Sequence, residues 1–388
     1  MKKAVIVGGS NGIGLAIARD LITKGYHACI LDVCEPDTHI LTDSTTYTYY
    51  SCNLLNFDEA LFEQLAADGD VELLMITAGL GRVADFEYLH TAEIDKLMKI
   101  NTVAGIKIVR LFYGRIKSEK PFYCGMMGSI AGLISSPMFS VYAASKAGIC
   151  RFIESVNIEL EQAGVANRIL NVSPGSIKGT RFNGGSNDLG LTAALAGQIV
   201  SHLMARDVLF IPEYEEVYKG VLERYAKDAH AFGMSSYQYK KASGRVMNEK
   251  RVCIGYLSGT FDLFHIGHLN LLRRAKQQCD YLIVGVHPDA SHKGKETFIP
   301  FEERMEIVGA VKYVDKVVPS CSEDSDAWQL WHYAKLFVGS DYKGTERFLR
   351  YEEYFKDKGV EIVYFPYTQT TSSTQIRQTI QENIDEKK

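Results

Sequence analysis

The sequence predicts an α/β protein of two doubly wound parallel-sheet domains in tandem. Three observations carry this. Two segments begin alike, with a short apolar strand, a glycine-bearing loop and then an amphipathic helix: Ala4–Val7 with Gly8–Gly14, and Val252–Tyr256 with Ser258–Gly267. Each is followed by a second apolar run, His27–Leu31 in the first half and Tyr281–Val286 in the second. Strands alternating with helices build parallel sheets from βαβ units, and two separate starts imply two sheets.

Along the first half, Ile13, Ile17 and Leu21 fall on one face of the helix after the glycine loop. Residues 212–245 are rich in Tyr, Lys and Glu and read as helical. The small polar stretch Lys240–Arg245 suits a linker, so the domains are expected at 1–243 and 250–388. In the second half Leu269, Leu271 and Leu272 mark the helix after its loop.

Composition bounds the function. The 388 residues are 46% hydrophobic and 23% charged, ordinary for a chain that buries a sizeable core. A net charge of -4 argues against a nucleic-acid partner. No run approaches the ~20 apolar residues of a membrane span, and the apolar run Ala4–Val7 is too short for a signal segment. The eight cysteines form no CxxC and read as small buried hydrophobes in a reducing, cytoplasmic compartment.

Gly8-Gly9-Ser10-Asn11-Gly12-Ile13-Gly14 opens a helix after a strand, where N–H groups and the helix dipole favour a pyrophosphate. Glycines also serve plain tight turns. Asp32, however, ends the next strand, where a carboxylate can bond ribose hydroxyls. It repels a 2′-phosphate, and no Arg or Lys stands at 10, 11 or 33, which favours NAD(H) over NADP(H).

The chain holds four Tyr-x-x-x-Lys pairs: Tyr113/Lys117, Tyr142/Lys146, Tyr237/Lys241 and Tyr354/Lys358. Thirteen residues upstream stand Ile100, Ser129, Arg224 and Asp341, so Tyr142 is the one with a hydroxyl there. A carbonyl accepting hydride needs a proton donor. A free phenol titrates near 10, and a lysine one helical turn away is expected to lower it. With Gly8, Gly12, Gly14, Asn101 and Pro174–Thr180, these residues make the first ~240 positions resemble the short-chain dehydrogenase/reductase family. The resemblance implies a Rossmann-like fold. It makes Tyr142 the acid/base, Lys146 its tuner and a ribose ligand, and Ser129 the carbonyl donor. Asn101 becomes the holder of a water, although alone it reads equally as a cap or turn residue. The cofactor contacts it implies are Gly8, Ser10, Asn11, Gly12, Ile13, Gly14, Asp32, Asn53, Leu54, Ala78, Gly79, Tyr142, Lys146 and Ile177. Two departures stand out: Ile76-Thr77 before Ala78-Gly79, where the family usually carries two asparagines, and Asn53 where an aspartate is common.

In the second half, His265 and His268 are the histidines spaced by three, at a strand-to-helix loop. They read as zinc ligands, as surface residues, or as donors to a phosphate at the helix N-terminus; nothing nearby completes a zinc site, and no protein metal cage is expected. Lys293, Lys295 and Arg304 follow, and the hydroxyls of Ser372, Ser373 and Thr374 serve either as caps or as phosphate ligands. The Gly259-Thr260-Phe261-Asp262 motif, Lys312–Val318 and Gly339–Tyr342 make residues 250 onward resemble the cytidylyltransferase branch of the HxGH nucleotidyltransferases, the glycerol-3-phosphate enzymes especially. The resemblance implies CTP as substrate and Mg²⁺ on its triphosphate. It assigns His265, His268 and Lys295 to the transition state. It assigns Gly259, Thr260, Phe261, Lys293, Arg304, Asp341 and Ser372–Thr374 to the nucleotide. Tyr367 stands where those enzymes carry an arginine, which leaves the acceptor open between glycerol phosphate and another phosphorylated alcohol.

Joined, the halves suggest a ketose phosphate reduced to a polyol phosphate and coupled to CMP, giving a CDP-alditol for surface polysaccharide. The competing reading is a reductase acting on a CDP-linked or unrelated carbonyl, beside a transferase for another phosphorylated alcohol. Both resemblances imply a homo-oligomer.

Overall fold

The computed structural model describes residues 2–180, 182, 187–249, 252–289 and 296–366. It separates into two compact units, residues 1–250 and 251–388.

In the first unit the strands are β1 Lys3–Val7, β2 His27–Asp32, β3 Tyr47–Ser51, β4 Val71–Ile76, β5 Tyr123–Met127, β6 Ile169–Val172 and β7 Leu209–Phe210. They lie in the order β3-β2-β1-β4-β5-β6-β7, and every pairing is parallel. The helices are α1 Gly12–Thr23, α2 Glu59–Ala67, α3 Thr91–Met98, α4 Gly105–Ile116, α5 Ser140–Gln162, α6 Leu189–Ala205, α7 Lys219–Lys227 and α8 Ala229–Ala242.

Alternation along β1 shows why the sheet is covered on both faces. Val5 and Val7 pack with Phe62 of α2, Phe112 of α4 and Ile153 of α5. Ala4 and Ile6 pack on the other face with Ile17 and Leu21 of α1 and Ile199 of α6. The strand order reverses between β1 and β4, which opens a crevice at their carboxyl ends, where open α/β sheets bind ligands. The stretch 240–245, read from sequence as a linker, is the end of α8 and its turn. The chain then returns to its own unit: Met247 N donates to Val83 O at 2.8 Å, and Asn248 bonds Asp85. Small polar residues serve a packed turn as well as a free linker.

The second unit contains β8 Ile254–Gly259, β9 Tyr281–Val286, β10 Lys316–Pro319, β11 Lys335–Gly339 and β12 Glu361–Phe365, with α9 Ile266–Lys276, α10 Phe301–Gly309, α11 Asp324–Trp331 and α12 Glu346–Phe355. Its sheet runs β10-β9-β8-β11-β12, again all parallel. Leu257, Val284 and Phe337 meet Leu272 and Val308 on one face; Tyr256, Ile283 and Leu336 meet Ala327, Phe348 and Phe355 on the other.

No helix among the described residues is long and apolar enough to cross a membrane. Cys29, Cys52, Cys124 and Cys150 are buried, while the other four cysteines are partly exposed. Burial pushes the Cys29 and Cys52 thiols up to about 11, which keeps them unreactive near neutrality.

Candidate active sites

The first site starts where β1 ends. Gly8 adopts φ +85° and Gly12 φ +53°, backbone that side chains rarely take. A Cβ at Gly14 would stand 2.1 Å from Gly8 O and 2.5 Å from Thr77 Oγ1, so the first turn of α1 folds tightly under the loop. Thr77, the departure noted in the sequence, ties the loop down: its hydroxyl reaches Val7 O and Gly8 O, each at 3.0 Å. Ser10 is buried, and among the described residues its Oγ has no partner. An orphan hydroxyl in a glycine-walled cradle at a helix N-terminus fits a phosphate of a dinucleotide.

Asp32 ends β2 and accepts from Ser10 N at 3.1 Å and Val33 N at 2.7 Å, which fixes its carboxylate beside the cradle. Ala78 and Gly79 follow β4 across the crevice, and Ala78 N would meet a Cβ on Gly8 at 2.6 Å. Asn53 caps the turn that holds Leu54 by accepting from Leu55 N. Ile177 lies on the loop after β6, partly buried against the α1–α6 core. Sequence reasoning missed Asn187. Its Oδ1 accepts from Gly12 N at 2.9 Å and its Nδ2 donates to Asn11 Oδ1 at 3.1 Å, contacts 175 and 176 residues apart.

Deeper in the crevice, Asn101 sits on a π-helical turn, Lys99–Ala104, between α3 and α4. Its Oδ1 accepts from Leu80 N at 2.9 Å; its Nδ2 donates to Leu80 O at 2.8 Å and Ser145 Oγ at 3.0 Å. Lys146 Nζ donates to Met127 O at 2.7 Å. A Cβ placed on Gly79 would stand 3.4 Å from both Lys146 Nζ and Asn101 Oδ1, so the three converge. Ser129, after β5, accepts from Ala131 N and reaches Pro174 O at 3.4 Å. Phe139 stacks on the Tyr142 ring at 4.0 Å, and Phe182 lies 5.4 Å from it, an aromatic wall that pattern reading had no means to place.

The electrostatics differ from the sequence expectation. Burial pushes the Tyr142 phenol up to about 12, and its hydrogen bond with Ser129 pulls it back. Burial also pushes Lys146 down to about 8. The lysine ammonium lies 5.7 Å from the tyrosine ring centroid. Desolvation therefore outweighs the expected lowering of the phenol by the lysine.

The second site is the loop between β8 and α9. Phe261 and Leu263 carry φ of +52° and +49°, strained backbone of the sort concentrated at functional sites. His265 Nδ1 accepts from Gly267 N at 3.0 Å, and His268 Nδ1 accepts from His265 N at 3.4 Å. Each neutral ring is thereby left with its proton on Nε2, the nitrogen that can donate to a phosphoryl oxygen. The rings stack at 4.0 Å, and burial holds His265 below its usual range. Among the described residues the buried Thr260 hydroxyl has no partner, a second orphan that fits a phosphate. Gly259 ends β8 under the Phe261 ring. Asp341 follows β11, the neighbour of β8, on the same carboxyl edge of the sheet.

Two expected nucleotide contacts are corrected. The Phe261 ring is core, packed beneath His268 at 5.3 Å. Arg304 is wholly buried. Its guanidinium donates to the carbonyls of Ile299, Thr260, His287 and Pro288 at 2.6–2.9 Å, so four of its five N–H groups are spent on holding the loop from within. Asp262 adds to this frame by accepting from Phe298 N and Ile299 N. Lys293, Lys295, Ser372, Ser373 and Thr374 lie outside the described residues.

Known proteins resemble the two units separately. The short chain dehydrogenase family model matches residues 2–188, and the cytidylyltransferase-like model matches residues 256–379. Glycerol-3-phosphate cytidylyltransferase of Bacillus subtilis is 38% identical over 126 residues, which span 31% of this chain and 92% of that protein. D-beta-hydroxybutyrate dehydrogenase of Rhizobium meliloti is 30% identical over 189 residues, 45% of this chain and 71% of that protein. The crystal structure of a short chain dehydrogenase/reductase from Burkholderia phymatum in complex with NAD shares the fold at TM-score 0.50 and 18% identity, covering 58% of this chain and 93% of that one. The chain thus belongs to the short-chain dehydrogenase family through its first unit and to the cytidylyltransferase-like family through its second, an oxidoreductase and a nucleotidyltransferase on one polypeptide.

Proposed function

We propose that the chain reduces a ketose phosphate to an alditol phosphate with NADH in preference to NADPH, and then transfers CMP from CTP to that phosphate. The observation that carries this reading is the fusion itself. One unit makes an alcohol, and the other resembles an enzyme named for a phosphorylated alcohol. Tethering raises the local concentration of the shared intermediate at the second site.

The dinucleotide, held by the glycine cradle, Ser10 and Asp32, supplies the hydride when bound. Ser129 orients the carbonyl oxygen as a preorganised donor, and Tyr142 delivers the proton that the developing alkoxide needs. Lys146, through the ribose and the buried crevice, steadies the negative charge left on the phenol. Asn101 holds the polar path behind it. In the second unit a phosphate oxygen of the alditol phosphate attacks the α-phosphorus of CTP in line, and the bond to pyrophosphate breaks. His265, His268 and Lys295 neutralise the charge on the phosphoryl oxygens, with Mg²⁺ on the triphosphate. Both cosubstrates place the reaction in the cytoplasm, and CDP-alditols suit surface-polymer assembly.

The test is one mixture: protein, CTP, Mg²⁺, NADH or NADPH, and a panel of ketose phosphates, with products identified by mass. A CDP-alditol that forms only with reduced dinucleotide is the expected result. If it forms only from ready-made alditol phosphate, the transferase half stands and the reductase acts on a CDP-linked or unrelated carbonyl.

A further inference from the structure

Two cations of the first unit bond the loops that carry its catalytic residues. Lys240, near the end of α8, donates to Ser136 Oγ at 2.5 Å and Pro137 O at 2.9 Å. That loop runs directly into Phe139, which stacks on Tyr142. Arg245, one turn further on, donates to Ser176 Oγ at 3.4 Å and Ser243 Oγ at 3.3 Å. Ser176 follows Pro174, whose carbonyl faces Ser129. One cation therefore grips each loop flanking the carbonyl site.

Both side chains are only partly buried. Burial pushes Lys240 down to about 8, and the like charge of Arg245 adds to that shift. A lysine that served only to fasten a loop would gain nothing from a second cation beside it. Two partly buried cations, each bonded to a serine hydroxyl, offer what a dianion requires: a point charge, a planar fork and neutral donors.

We propose that Lys240 and Arg245, with the Ser136 and Ser176 hydroxyls, form the subsite that holds the phosphate of the carbonyl substrate. This rests on the reading that the reductase substrate is a phosphate monoester. It makes these residues determinants of substrate choice, separate from the hydride and proton chemistry.

The experiment uses the full chain and the variants Lys240→Gln/Arg245→Gln and Lys240→Arg. NADH affinity serves as the fold control. The expected result is a KM for the ketose phosphate raised about 10- to 100-fold in the double variant, with kcat within about 3-fold. Turnover of the matching unphosphorylated ketose stays unchanged, and Lys240→Arg retains most of the affinity. An unchanged KM, or an equal loss for phosphorylated and unphosphorylated substrates, overturns the subsite. Calorimetric titration of inorganic phosphate into the chain saturated with CTP gives an independent arm. If no ketose phosphate is reduced, the substrate reading has failed. Phosphate binding seen in the wild type and lost in the double variant then still supports the anion site, and equal binding overturns it.

Discussion

Replacing Gly14 by alanine tests whether the glycine cradle works as described. The new Cβ would sit 2.1 Å from Gly8 O and 2.5 Å from Thr77 Oγ1, where real Cβ atoms do not come within 3.0 Å. Relief requires the loop carbonyl to retreat by about an ångström, and that carbonyl belongs to the strand end tied by Thr77. Overpacking of this kind costs about 1–3 kcal/mol. For a unit of this size that lowers its melting temperature by roughly 2–12 °C. The same retreat moves the N–H groups that face the pyrophosphate, so NADH affinity falls by at least about tenfold, the equivalent of one misplaced charge-assisted hydrogen bond. Gly114→Ala is the matched control: it lies exposed on α4 with nothing within 4 Å of its Cβ. It should stabilise by about 0.4–1 kcal/mol through helix propensity alone. The assays are calorimetric melting and NADH fluorescence titration, with CMP transfer as the internal control on the second unit. A Gly14→Ala protein with wild-type melting and wild-type NADH affinity would refute the argument from packing.

Other outcomes follow from the same geometry. Tyr142→Phe should lower reduction by about 10²–10⁴ while leaving NADH affinity and CMP transfer intact; substantial residual reduction would remove Tyr142 as proton donor. Lys146 is pushed down from 10.5 to about 8 by burial, so between those pH values the unfolded chain binds the extra proton and stability rises with pH. Lys146→Met should therefore melt higher than wild type below pH 8, with the gap closing toward pH 10.5; a gap independent of pH contradicts the assignment. His265→Asn and His268→Asn should each cut CMP transfer by about 10²–10³ without affecting reduction, measured by pyrophosphate release. Arg304→Met leaves four carbonyls without a donor and should destabilise the second unit by about 3–5 kcal/mol. The KM for CTP of the folded fraction should hold steady, whereas a selective rise in that KM would return Arg304 to the nucleotide.

What the sequence by itself determined was whatever depends on near neighbours in the chain. Glycines at 8, 12 and 14 announce a tight strand-to-helix turn because positive φ is a local demand, and Tyr142 and Lys146 share a helix face because four residues make about one turn. The apolar periods of β1, α1, β8 and α9 likewise foretold two parallel sheets. Tertiary structure alone decided which distant groups meet. Arg304 was legible as a cation but not as the donor to a cage of carbonyls from residues 260, 287, 288 and 299. Lys240 and Arg245 looked like linker residues until α8 laid them against loops 104 and 69 positions away. The same distance hid Asn187 from the glycine loop. The phenol expected to be lowered by its lysine is instead raised, because desolvation depends on everything packed around a site and a four-residue spacing does not encode it.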